Sequence, residues 1–468
     1  MAQTILTVIA EVQPAAADGL RQMLAALTAR QEAKPQAGDT AYSALHAAVP
    51  TLHFMSITVA AGDPYDPVLV IEANFDGLPG PFWACLEAAI GAELRAMLRL
   101  CKRPRDNRSA LFDRITPADS TAPLAPLLQA LTVRPAVQHQ GNRGLSRERI
   151  LAEGELFKAL QAQIDGQPLL HTQPPAQIHQ QLRTTLLPRF GWLQTPAPPR
   201  IGTAENLADW ARGLGFVVAL LAGFWWVGWM LVQMFYLLHG VAFHPGQQTP
   251  GVVLGLLLLG LIATVAPALL RLRWLEQRDA ESEGLQPDEK ALRQMARQED
   301  FIAQNHMLSI VHVKPGVLRM VLARLALRAL GLVLRISARN GYLRSMRTIH
   351  FAHWAFLDNG GRLMFHSNFD GSWESYLDDF IEKAHVGLTL AWTHGIGFPP
   401  TRLLSQGGAT EGRKFKAWAR HSMSHSGFWF SAYKLYSVNQ IERHARLANG
   451  LRKATLNDQE ASAWAIDL

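Results

Sequence analysis

The sequence lacks the residue patterns that identify the common enzyme classes and the disulfide-bonded secreted proteins. Its 468 residues include only two cysteines, Cys85 and Cys101, which cannot build a disulfide framework or, by themselves, a four-ligand zinc site. It also has no Walker motif, dinucleotide fingerprint, zincin motif or Ser-His-Asp elbow. We therefore expect both cysteines to be thiols in a reducing compartment.

Charged residues are also scarce, at 18% of the chain against 49% for hydrophobic residues. This composition is too apolar for a disordered chain and too mixed for a polytopic transporter. Basic residues outnumber acidic residues, 45 to 38, which suits nucleic acid or an anionic membrane surface. Because no aromatic-basic RNA motif or zinc finger accompanies this excess, the predicted partner is the lipid bilayer and not nucleic acid.

Two long apolar runs lie in the middle of the chain. Residues 214–239 and 251–270 contain no charged side chain, and each run has about the 20 residues needed to cross a hydrocarbon layer. The connector between them is uncharged, whereas Arg212 and Arg271 flank the outer ends. Since positive residues stay inside, the sequence predicts a transmembrane hairpin over 213–272 in a bacterial-type inner (plasma) membrane, with both soluble parts in the cytoplasm.

The soluble parts on either side of the hairpin resemble each other. Thr-Leu-His-Phe at 51–54 matches Thr-Ile-His-Phe at 348–351, and Asn-Phe-Asp-Gly occurs at 74–77 and at 368–371. Both parts show the order strand, helix, strand, strand, helix, strand, which is that of a ferredoxin-like unit. Such a unit leaves one sheet face bare, so the sequence predicts an α+β fold with two units packed sheet on sheet.

This pattern and the composition set the predicted domain boundaries. They are a first ferredoxin-like unit at 1–166, a Pro/Gln-rich linker at 167–212, the transmembrane hairpin at 213–272, a connecting helix at 273–304, a second unit at 305–455 and a polar tail at 456–468. Whether the sheets pair within one chain or between two copies stays open, so a homo-oligomer is also an open partner.

The paired units resemble the dimeric α/β barrel superfamily, which includes dye-decolorising peroxidases, chlorite dismutases and small monooxygenases. In the peroxidases a Gly-x-x-Asp-Gly motif lies beside the haem; the matching stretches here, 73–77 and 367–371, lack the first glycine. The resemblance implies haem as a cofactor, with Asp76 and Asp370 in acid–base roles. The alternative is structural: each Asp caps the following helix and each Gly adopts a backbone angle that other residues avoid.

The second Asn-Phe-Asp-Gly strand forms a hairpin whose register can be predicted. The Asn-Gly turn within 358–361 places five side chains on the sheet face that points away from the helices, namely Phe351, His353, Met364, His366 and Asn368. Ser56 and Glu72 occupy the matching positions of the first unit. We predict these seven side chains as ligand-binding residues, with His353 and His366 as candidate metal or haem ligands. A proton-relay pair and a hydrogen-bonded structural pair are the alternatives.

A basic apolar helix is predicted at the start of the second unit. Within residues 317–336, Arg324, Arg328 and Arg335 fall on one helical face. They either face solvent or lie at lipid headgroups, with the apolar flank of the helix in the membrane interface.

Three functions remain open from sequence alone. The protein binds a small apolar or amphipathic molecule between its sheets, or it is a haem- or metal-dependent peroxidase-like oxidoreductase, or it is a membrane scaffold for a redox partner. Fold resemblance does not choose among them.

Overall fold

The computed structural model describes most of the chain, namely residues 3–32, 44–61, 64–240, 249–279, 303–337 and 346–468 and the single positions 289, 293, 296 and 297. These residues form an α+β protein with two five-stranded antiparallel sheets and two long apolar helices. Most of the connecting helix predicted at 273–304 lies outside the described residues.

The first half of the chain supplies strands and helices up to the two long apolar helices. In chain order these elements are β1 (Gln3–Glu11), α1 (Ala17–Glu32), α2 (Ala44–Ala48), β2 (Leu52–Ala60), β3 (Val68–Asp76), α3 (Pro79–Arg99), α4 (Ser109–Ile115), α5 (Ala125–Ala130), β4 (Thr132–Val133), β5 (Val137–Gln140), α6 (Arg147–Asp165), α7 (Pro175–Leu186), α8 (Thr203–Leu238) and α9 (Pro250–Glu276).

The second half repeats a similar succession of strands and helices. Its elements are β6 (Gln304–His312), α10 (Val317–Ser337), β7 (Ile349–Leu357), β8 (Arg362–Asp370), α11 (Trp373–Trp392), β9 (Thr401–Arg402), β10 (Gln406–Gly407), α12 (Gly412–Ser422), β11 (Met423–Ser424), β12 (Phe428–Ser431), α13 (Val438–Arg452) and α14 (Asp458–Ala465).

Each five-stranded sheet contains one strand from the other half of the chain. The first sheet has the order β12-β2-β3-β1-β4 and the second the order β11-β6-β8-β7-β5. Thus β5, from the first half, pairs with β7, and β12, from the second half, pairs with β2. Each of the predicted units at 1–166 and 305–455 therefore contributes one strand to the sheet of the other unit.

Amphipathic helices cover the outer face of each sheet. In the second sheet, Trp354 and Phe365 pack with Trp373 and Trp392 of α11. In the first sheet, buried side chains of α1 and α3 form a cluster with those of β2 and β3. Each large apolar side chain buried in this way contributes about 1.5–3 kcal/mol.

Helices α8 and α9, of 36 and 27 residues, are long and apolar enough to span a membrane. They contain the two predicted runs and contact each other closely. At the contact, a Cβ atom on Gly228 would overlap the Leu256 carbonyl oxygen, and one on Gly260 would overlap the Phe224 carbonyl oxygen. These glycines let the two backbones approach, as small residues do between membrane helices.

The segment predicted as a Pro/Gln-rich linker is packed against the protein. Ile178, Leu182 and Leu186 of α7 share an apolar cluster with side chains of α6 and α13. Trp464, in the tail predicted to be polar, joins the same cluster and is 6% exposed. The helical spacing of these apolar residues is sufficient to fold both segments onto the body.

Candidate functional site

The predicted register of the β7–β8 hairpin is confirmed. His353 lies opposite His366, Met364 opposite Ala355, and Phe351 opposite Asn368. Their side chains point toward the first sheet, because His353 and His366 make hydrogen bonds to it. Ser56 and Glu72 also lie directly opposite each other, in β2 and β3.

A buried polar layer joins the two sheets at this point. It consists of Thr7, Ser56, Glu72, His353 and His366, each no more than 1% exposed. Thr7 Oγ1 lies 2.8 Å from His353 Nε2, and Ser56 Oγ lies 3.2 Å from His366 Nε2. The two imidazoles are parallel, with centroids 5.5 Å apart. The structure therefore brings together four of the predicted residues and adds Thr7.

Burial makes this polar layer neutral near pH 7. Desolvation raises the pKa of Glu72 to about 8, although the side-chain amides of Asn74 and Asn368 partly oppose the shift. Desolvation also lowers the pKa of His353 to about 3 and that of His366 well below its ordinary value. Glu72 is then a protonated acid that can donate a hydrogen bond, and the histidines are neutral.

Four buried polar atoms around the layer have no hydrogen-bond partner among the described residues. They are Glu72 Oε2, Asn74 Oδ1, His353 Nδ1 and His366 Nδ1. Glu72 Oε2 and His366 Nδ1 are 3.9 Å apart. An unsatisfied buried polar group costs about 1–3 kcal/mol, so such a group needs an explanation in a bound guest, an ordered water or a functional role.

The other predicted residues lie on either side of the polar layer. Met364 is fully buried in an apolar cluster with Val70 and Ala355. On the opposite side, Phe351 packs against Phe54 with ring centroids 5.7 Å apart, and Asn368 Oδ1 accepts a hydrogen bond of 3.0 Å from the Trp429 indole.

Beyond the apolar cluster, a cavity of about 800 Å³ opens at the edge of the two sheets. Residues of both sheets line it, including Ile9 and Val68 of the first and Leu357 of the second. Its volume is typical of small-molecule sites, but its walls are not mostly apolar as such sites require. Nine charged side chains line it, namely Glu11, Asp66, Lys102, Arg103, Arg105, Asp106, Arg108, Asp358 and Arg362. Sequence reasoning missed this cavity, because its walls come from strands far apart in the chain.

Asp76 and Asp370 hold the framework instead of facing an open site. Asp76 Oδ2 accepts a hydrogen bond of 2.7 Å from the Arg147 backbone N–H, and Asp370 Oδ2 accepts one of 2.7 Å from that of Val438. The structural alternative was therefore right that each aspartate bonds the start of a helix, but it named the wrong helices. The capped helices are α6 and α13, about 70 residues downstream, and not the helices that follow directly. Gly77 and Gly371 adopt φ values of 95° and 79°, as that alternative required.

Sequence reasoning missed the partners of these aspartates. His53 Nε2 lies 3.0 Å from Asp76 Oδ1, and Asp370 Oδ1 accepts a hydrogen bond of 2.7 Å from His350 Nε2. Both histidines belong to the matching Thr-x-His-Phe motifs, so a signal was present in the sequence. Each buried carboxylate thus ties a strand to the start of a helix.

The arrangement does not fit haem or a metal ion held by these side chains. Both aspartates already accept from a helix amide, and His353 and His366 are hydrogen-bonded across the sheets, which leaves no room there for a macrocycle. The lone pairs of two parallel imidazoles do not converge on one ion. Within the described ranges, no group of three or more His, Cys, Asp or Glu side chains is placed to hold a metal.

Comparison with known proteins returned no relative. No protein-family model matches the chain, and neither the curated proteins nor the solved structures contain a match.

Proposed function

We propose that this chain is a membrane-anchored, cytoplasm-facing protein that binds a small neutral amphipathic molecule between two ferredoxin-like sheets. The proposal depends mainly on one observation, the four unpartnered buried polar atoms that surround the Glu72–His366 pair. These atoms come from both sheets, so a guest that satisfies them would bridge the sheets.

The hydrogen-bonding groups of the polar layer restrict which ligand it can bind. Protonated Glu72 is a hydrogen-bond donor, whereas neutral His353 and His366 can each accept at Nδ1. A hydroxyl or carbonyl group satisfies such partners without bringing a charge into a buried layer. Met364 and Phe351 supply apolar walls on either side. A medium-chain alcohol such as 1-octanol has this combination of groups.

Anchoring by α8 and α9 is the second part of the proposal. The apolar faces of both helices are exposed, as lipid-facing helices require. Arginines border both helices on the side of the soluble body, which supports a cytoplasmic body.

Native mass spectrometry, which preserves non-covalent complexes, and thermal denaturation of the full chain in mild detergent test the binding site. We expect wild type to carry a stoichiometric organic adduct, and added 1-octanol to raise its melting temperature. Glu72→Leu and His366→Phe should abolish both effects. His179→Phe, which alters a buried histidine in the separate α7 cluster, should retain both.

A wild-type chain of bare mass, with a melting temperature that 1-octanol does not change, would overturn the binding proposal. That result would favour a membrane scaffold, which the closed packing of the polar layer also supports. A Soret band that is lost in His353→Ala and His366→Ala would instead restore the oxidoreductase hypothesis.

A further inference from the structure

The soluble end of α8 is fixed to the body by a buried carboxylate. Asp209 is 3% exposed. It accepts hydrogen bonds from Arg143 at 2.6 Å, from Arg212 at 3.0 Å and from Arg335 of α10 at 3.2 Å. Three arginines thus converge on one buried carboxylate and hold this end of α8 against the body.

The soluble end of α9 is fixed in a similar way at a different place. Glu276 accepts hydrogen bonds from the backbone N–H groups of Leu403 and Leu404 at 2.9 and 3.0 Å. Three residues later, Asp279 accepts one of 2.6 Å from Arg319, which stands near the start of α10. Both membrane helices are thus tied to α10, but at opposite ends of it.

These contacts link each end of α10 to one of the two apolar helices. Arg319 and Arg335 are sixteen residues apart on α10, or about 24 Å along its axis. Helices α8 and α9 meet at Gly228 and Gly260, close to the middle of each apolar run. Because their soluble ends are tied to opposite ends of α10, we infer that the two helices diverge from this contact toward α10.

Helix lengths place α10 near the membrane surface. Asp209 lies nineteen residues from Gly228, and Glu276 lies sixteen residues from Gly260, which corresponds to about 28 and 24 Å of helix. Half of the hydrocarbon layer is only about 15 Å thick, and headgroups extend it to about 20–22 Å. With the helix contact at mid-bilayer, the tied ends of α8 and α9 stand at or just beyond the outer edge of the headgroups, and an outward tilt of these helices brings α10 closer. We infer that α10 runs roughly parallel to the membrane, where its side chains reach the headgroups.

One face of α10 carries apolar and basic side chains together. Val317, Val321 and Leu325 are 82%, 47% and 40% exposed, and Arg324 and Arg328 are exposed on the same face at three- and four-residue spacing. Such a mixture is typical of helices that lie in a membrane interface. Arg335, also expected at the membrane surface, contributes to the tie with Asp209 instead.

We propose that α10 is a membrane-surface helix that binds anionic lipid headgroups through Arg324 and Arg328. Val321 and Leu325 then enter the interface beside the headgroups. This inference depends on the anchoring part of the proposed function and is independent of the ligand site. It gives the soluble body a fixed orientation to the bilayer.

Spin-label accessibility in nanodiscs tests the depth of α10. The nanodiscs contain phosphatidylcholine with phosphatidylglycerol, and the background carries Cys85→Ala. Burial raises the pKa of the Cys101 thiol to about 12, so that thiol stays unlabelled. A nitroxide at Leu325→Cys should show a several-fold higher ratio of oxygen to nickel-chelate accessibility than one at Gln161→Cys, an exposed position of α6.

A third label separates this inference from the anchoring proposal. A nitroxide at Leu259→Cys reports whether α9 lies in lipid. If Leu259 is lipid-exposed while Leu325 is as nickel-accessible as Gln161, the surface-helix proposal is wrong and anchoring stands. If Leu259 itself is nickel-accessible, anchoring is wrong as well.

The arginine contribution is tested by a change of lipid charge. In phosphatidylglycerol nanodiscs, Arg324→Gln/Arg328→Gln should reduce the depth of the Leu325 label to its value in pure phosphatidylcholine. The control Arg21→Gln changes an exposed arginine of α1 and should leave the depth of the Leu325 label unchanged. An identical depth in both lipids and in both variants would overturn headgroup binding.

Discussion

The two halves of the chain use the same framework but differ where they meet. His53 and His350 stand beside Asp76 and Asp370 in corresponding positions, and each aspartate accepts from the first amide of a downstream helix. At the sheet interior the correspondence ends, because Ser56 and Glu72 of the first half face His353 and His366 of the second.

This difference separates residues that hold the fold from residues that form a site. The matching aspartates bond the first amide of a helix, whereas the differing positions bond across the two sheets. Both sets contain polar atoms without a hydrogen-bond partner among the described residues, so the partner that each set holds, and not its satisfaction, separates them. The same division appears in the helices after the first strand of each half. Helix α1 packs against β2, β12 and α3, whereas α10 contacts the two long apolar helices, α8 and α9.

Removing a framework aspartate should have the largest effect on stability. Asp370→Ala deletes the acceptor for both the Val438 amide and His350. Asp76→Ala deletes the acceptor for the Arg147 amide and removes the close contact with His53. We expect a loss of about 3 kcal/mol of unfolding free energy in each case, measured by thermal denaturation in detergent.

The comparison between the two aspartates sharpens this prediction. His53 retains a hydrogen bond of 2.8 Å to the Tyr433 hydroxyl, whereas His350 Nδ1 has no partner among the described residues. Asp370→Ala should therefore cost more than Asp76→Ala. The exposed Asp119→Asn serves as the control; if the framework variants melt no lower than this control, the framework role is wrong.

The contributions of Glu72 and His366 to folding stability should depend on pH in opposite directions. The pKa of Glu72 is about 8 in the folded state against an ordinary value of 4.5. The folded state therefore holds an extra proton between these values, and stability falls as pH rises through that window, by up to about 1.4 kcal/mol per pH unit. Glu72→Gln should remove this loss in melting curves recorded between pH 5 and pH 9.

His366 should show the opposite sign. Its pKa is lowered well below 6.5 in the folded state, so the unfolded state holds the extra proton and stability falls as pH drops below about 6.5. His366→Phe should make this acid limb shallower and leave the alkaline limb intact. If Glu72→Gln and His366→Phe shift stability equally at all pH values, neither group is buried as described.

Local signals in the sequence were sufficient for part of this arrangement. The Asn-Gly turn determined the register that puts His353 opposite His366, and residue counting located the apolar cores of α8 and α9. The exchange of β5 and β12 was not predictable, because two- to four-residue strands carry little pattern and their partners lie in the other half. The bonds from Asp76 and Asp370 to distant helices likewise depend on tertiary packing, which local spacing does not encode.

The smallest predicted difference between the halves lies at the capped helices themselves. Ser146 accepts from the Arg149 amide at 3.3 Å at the start of α6, and Ser437 accepts from the Gln440 amide at 3.2 Å at the start of α13. Of these two helices, α13 completes a capping box and α6 does not, because Gln440 Oε1 also accepts from the Ser437 amide at 2.8 Å. We expect Ser→Ala at either position to cost about 1 kcal/mol.

The second bond of the box decides which serine matters more. Ser437→Ala leaves the Gln440 side chain able to accept from the backbone amide, so it should cost no more than Ser146→Ala, whereas Ser437→Ala/Gln440→Ala should cost clearly more than either single change. Chemical denaturation of the three variants measures this order. A double variant no less stable than Ser437→Ala would show that the Gln440 bond adds nothing, and that the serine caps and the aspartate bonds alone start both helices.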